Sequence, residues 1–154
     1  MDRRRVFVLV GLASLTVPRV VLHDLGVVRE GTAVNAALVF VPFAVWIAVA
    51  VLRAANPFPA LVAVGGISGV LLAVTHQVLW GAAFDEEPRL GGNLADLDPS
   101  VQTVVLRVFA AFSGFFTGLI TGVLCGLVAW GIARAVRRSR RGEAGEGADL
   151  QGRP

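Results

Sequence analysis

Residues 108–133, VFAAFSGFFTGLITGVLCGLVAWGIA, run for 26 positions without a charge. An α-helix rises about 1.5 Å per residue, so about 20 residues cross a hydrocarbon layer about 30 Å thick. This stretch is therefore long enough to span a membrane. It also carries Gly114, Gly118, Gly122 and Gly126 four apart, with Ala110 extending the row and Ser113, Thr117, Thr121 and Cys125 beside it. Residues four apart share one helix face. A glycine face lets a second backbone approach closely, which drives packing where no hydrophobic effect operates between helices. Gly65, Gly69 and Ala73 repeat the spacing upstream. The reading is glycine-zipper packing on the fourth helix within one chain, the alternative being a seam between copies.

Three more runs lie upstream. Thr32–Leu52 and Pro57–Phe84 qualify as spans outright, and Val6–Pro18 does so if it continues through Arg19. The apolar share of 55% exceeds the roughly 45–50% of a soluble domain, and the mean hydropathy is +0.72. The fold class is thus all-α: an integral membrane four-helix bundle over residues 1–136, with helices near 6–25, 32–53, 59–83 and 99–136. Residues 137–154 form a basic, then disordered, tail. The first run has the basic start of a signal peptide but no small-x-small cleavage site, so it is read as a retained span.

All 14 basic residues are arginine. That bias suits a GC-rich, prokaryotic genome and carries no chemistry. Arg3, Arg4, Arg5, Arg53, Arg134, Arg137, Arg138, Arg140 and Arg141 flank one side of the spans, against Arg29 and Arg89 on the other. The positive-inside rule gives a multi-pass cell-membrane protein with both termini cytoplasmic. Arginines grouped at membrane edges also account for the pI near 10.9, so no nucleic acid is implied. The lone Cys125 excludes an internal disulfide or CxxC chemistry. Asn56-Pro57-Phe58-Pro59 reads as a tight turn, and Asp98-Pro99 as an N-cap followed by proline at the first helical position. The acidic loop Asp85-Glu86-Glu87 lacks calcium-loop spacing and reads as a solvated loop.

Polar residues gather at the outer end of every span. Arg19 and His23 lie on one face of the first, Asn35 begins the second, His76 and Gln77 end the third, and Arg107 lies near the start of the fourth. Ionisable groups inside spans usually face the protein interior and mark a site. We expect these six to form an outward-facing, ligand-binding cavity. The plainer alternative is that the arginines snorkel, that His23 and Asp24 cap a helix end, and that the rest bond structurally. His23 and His76 could ligate a metal with Asp24 or Asp85, or the iron of haem b, although absence of a cofactor is the leading expectation. The two arginines favour an anionic head group, a quinone oxygen or a small anion. No Ser-His-Asp pattern is visible, and no enzyme activity is implied. The leading function is a non-enzymatic membrane bundle acting through the bilayer with a membrane partner or as a small homo-oligomer. An oligomeric small-solute carrier or channel, and a haem- or quinone-linked redox protein, are the alternatives.

Overall fold

The computed structural model describes residues 2–84 and 88–151. Among the described residues all regular structure is helical: α1 (Arg3–Ser14), α2 (Val17–Asp24), α3 (Ala33–Arg53), α4 (Pro57–Val78), α5 (Trp80–Ala83), a 3-10 turn at Gly92–Leu94, and α6 (Pro99–Gln151). Taking α1 and α2 together, four segments are long and apolar enough to cross a membrane: Arg3–Asp24, Ala33–Arg53, Pro57–Val78 and Pro99–Ser139. Their outer faces carry Phe7, Phe40, Leu52, Phe109 and Phe112, all more than 60% exposed. Apolar side chains on that scale face hydrocarbon at no cost, whereas water would penalise them.

The first span is not continuous. Pro18 has no N–H to give the Ser14 carbonyl. The chain answers with short-range bonds from Leu15 N–H to Leu12 O (3.1 Å) and from Thr16 N–H to Ala13 O (3.4 Å), and a break separates α1 from α2. The expected third span also divides, α4 ending at Val78 and α5 beginning at Trp80. At the other end, the helical backbone of α6 runs to Gln151.

The packing centre is the contact of α4 with α6, by far the most extensive in the molecule. It runs antiparallel, from Phe58 beside Gly126 to Ala73 beside Gly114. A Cβ built on Gly122 would stand 2.6 Å from the Leu61 carbonyl oxygen and 2.7 Å from Gly65 Cα. One built on Gly65 would stand 2.5 Å from Gly122 Cα. Spacings this short leave room only for hydrogen. The core beside this contact joins Ala13, Trp46, Ala50, Leu61, Val64, Cys125 and Ala129. Trp46 is fully buried and donates its indole N–H to the Leu12 carbonyl at 2.7 Å, tying α3 to α1.

Asp98 caps α6. Its carboxylate accepts from the Ser100 hydroxyl and from the Ser100 N–H at 2.9 Å. The hydroxyl, then the amide, hold the Asp98 carboxyl below its usual range. An Asp98→Ala change is expected to speed hydrogen exchange at Val101 and Gln102 and leave the middle of α6 unchanged. Because the folded pKa is lowered, the cap contributes fully above the ordinary value of 3.8 and fades as pH falls through the lower folded value. NMR shifts of the Ser100 amide would follow that loss.

Candidate functional site: a buried carboxylate between two histidines

Leu25 is the C-cap of α2, and Gly26 follows it with φ +69°, a left-handed conformation that glycine adopts without strain. Its N–H donates to the His23 carbonyl (2.9 Å), and the Val27 N–H donates to the Leu22 carbonyl (2.9 Å). This is a Schellman closure. The helix end is closed by backbone donors, which a carboxylate could not replace, and the Asp24 side chain turns inward, where it is only 4% exposed.

His76 of α4 donates from Nδ1 to Asp24 Oδ2 at 2.7 Å. His23 Nδ1 lies 3.4 Å from the other oxygen, Oδ1, and its Nε2 lies 3.4 Å from Glu30 Oε1. Arg19 donates from Nε to Asn35 Oδ1 at 3.1 Å and reaches Glu30 at 3.8 Å. A carboxylate withdrawn from water needs such partners, since an unpaired buried charge is costly. The cluster thereby ties α2, α3, α4 and the α2–α3 loop together at one end of the molecule.

A cavity of about 400 Å³ opens against it, lined by Arg19, His23, Asp24, His76, Trp80 and Ser113 among others. A second of about 320 Å³ lies deeper. Arg19, Leu72 and Thr117 line both. Thr16 and Ser68 share a hydroxyl hydrogen bond of 2.8 Å at the wall of the deeper one.

The six expected residues thus divide. Arg19, His23 and His76 line the outer cavity. Asn35 stands behind Arg19 as its acceptor. Gln77 instead gives its amide to the Arg107 carbonyl at 3.0 Å, across the α4–α6 contact. The Arg107 guanidinium stacks on the Trp80 ring at 5.0 Å, a cation–π contact that supports the cavity wall. Asp24, expected only as a helix cap or a metal ligand, and Glu30 join the cluster as its acids. The sequence offers one hint of Asp24, an acid directly after an apolar helix and beside a histidine, but its burial depends on α4. Gln102 is another residue revealed by the fold. It is buried, accepts from the Leu90 N–H, and donates to Ala95 and Leu97 carbonyls, clamping the loop to α6.

Among the described residues, no group of three or more His, Cys, Asp or Glu is arranged to hold a metal ion; Asp85 and the rest of the acidic stretch 85–87 lie outside them. Haem ligation fits this geometry poorly. Both Nδ1 atoms are directed at one carboxylate rather than one iron, and His23 Nε2 faces Glu30. His76 Nε2 is the ring nitrogen left without a partner among the described residues. With Nδ1–H given to Asp24, its lone pair is oriented for hydrogen bonding, as in carboxylate–histidine pairs generally. No protein-family model matches this chain, nor does any curated protein or any solved structure. The class that the observations define is an all-helical protein with four apolar helices of membrane-spanning length, compatible with a multi-pass membrane protein.

Proposed function

We propose that the chain is a non-enzymatic, four-span cell-membrane protein that binds a small polar ligand in an extracytoplasmic cavity and works with a membrane partner or as a small oligomer. The observation carrying this reading is Asp24, buried between His23 and His76 at the wall of the outer cavity. A purely structural ion pair has no need of an open space beside it, and ionisable groups at membrane depth are costly enough to be kept for a use. The arginine asymmetry supports placing both termini in the cytoplasm, and the α4–α6 glycine rows act as a zipper inside one chain. The shared wall of the two cavities favours a small-solute carrier as a second reading. Trp46, which walls the deeper cavity, and Leu61 and Val64, fully buried beyond it, would have to move for it to operate.

Cysteine labelling in intact cells tests the orientation and the opening together. In a Cys125→Ser background, an impermeant charged thiol reagent is expected to modify Leu94→Cys and the cavity residue Ser113→Cys. Ala55→Cys is expected to react only after permeabilisation. Labelling of Ala55→Cys from outside would reverse the orientation. An unreactive Ser113→Cys beside a reactive Leu94→Cys would remove the water-accessible cavity.

A further inference from the structure

A third cavity, of about 290 Å³, lies at the opposite end from the histidines. Its mouth carries Arg5, in the first turn of α1, and Arg53, the last residue of α3. Its remaining wall is apolar, including Leu9, Leu12, Leu61 and Val64. We propose that Arg5 and Arg53 bind the phosphate of an anionic phospholipid whose acyl chain enters this cavity.

The two arginines are distinguished by lining one apolar cavity together while having no side-chain partner of their own. Arg19 has Asn35 and Glu30, while Arg107 and Arg134 lie over tryptophan rings. Among the described residues, neither Arg5 nor Arg53 forms a salt bridge or a side-chain hydrogen bond. Two exposed guanidiniums without a counter-ion, lining one cavity from different helices, match a phosphate, which accepts their paired donors. Each stands at a span end, the level of lipid head groups, and basic pockets between spans are where acidic lipids dock.

The apolar wall selects the rest of the ligand. From Arg5 to Leu12 the helix descends about 10 Å, which suits the first part of an acyl chain. Inorganic phosphate would satisfy the arginines and leave that wall unfilled. A zwitterionic lipid brings its own cation to a site that is already basic. Ala50, Ala54 and Ala60 supply the space by having no bulk to fill it.

Native mass spectrometry of the delipidated full chain, titrated with phosphatidylglycerol or phosphatidylcholine, tests the assignment. Wild-type protein is expected to retain phosphatidylglycerol at about tenfold lower concentration than phosphatidylcholine, a difference of about 1.4 kcal/mol. The double change Arg5→Gln/Arg53→Gln should abolish that preference, whereas Arg137→Gln/Arg138→Gln should keep it. Val49→Trp, which fills the wall and leaves both arginines, should weaken phosphatidylglycerol binding. Equal retention of the two lipids by the wild type overturns the proposal, as does equal loss in both arginine pairs. Displacement of phosphatidylglycerol by inorganic phosphate at matched concentration would show a free-anion site and reject the lipid assignment.

Discussion

Gly122→Leu is expected to destabilise the protein by about 3 kcal/mol or more, measured by unfolding in mixed micelles. The first atom of the new side chain already meets backbone: the Leu61 carbonyl oxygen at 2.6 Å and Gly65 Cα at 2.7 Å. Backbone cannot change rotamer, so α4 and α6 must separate along their length, and the loss of close packing reaches or exceeds the usual cost of overpacking a core. Gly66 provides the control, since it is a neighbour of Gly65 on the same helix with nothing within 4 Å of a built Cβ. Gly66→Ala should therefore be neutral or stabilise by up to about 1 kcal/mol through helix propensity. Equal effects at the two positions would mean that glycine acts here through helix propensity, with no role for close approach.

The second large effect is expected at Asp24. Asp24→Leu removes the acceptor of His76 Nδ1 and should cost about 2 kcal/mol, within the range for a hydrogen bond to a charged group. The value is kept low because the two imidazoles remain about a third exposed, 33% for His76 and 35% for His23, and water can partly replace the lost partner. A double-mutant cycle separates the two histidines. Asp24→Asn should couple more strongly with His76→Gln than with His23→Gln, because the first contact is 2.7 Å and the second 3.4 Å. Stronger coupling to His23 would contradict the arrangement in which α4, rather than the adjacent residue, secures the carboxylate.

Part of the polar cluster follows from helical spacing alone. Arg19 and His23 lie four apart on one helix, and helical geometry alone puts them on one face. His76 follows from the same count along the small-residue face of α4. The partnerships were not legible. Asp24 read as part of a helix end, and its burial rests on His76 of α4, which no local pattern indicates. Gln77 continues the Gly69–Ala73 row that meets α6, but spacing did not indicate its acceptor, the Arg107 carbonyl. Glu30 sits in a loop, where no periodicity indicates direction.

By itself the sequence determined that this is an all-helical chain with four segments able to cross a membrane, because length without charge is a local property that no folding partner alters. It also determined which helix faces carry glycine and which helix ends carry polar groups. The matching small-residue rows also pointed to the pairing of α4 with α6, whose closeness the tertiary structure supplied. Only the tertiary structure joined Asp24 to a histidine 52 positions away, because burial and charge pairing arise where two helices cross, and a crossing is written in neither helix alone.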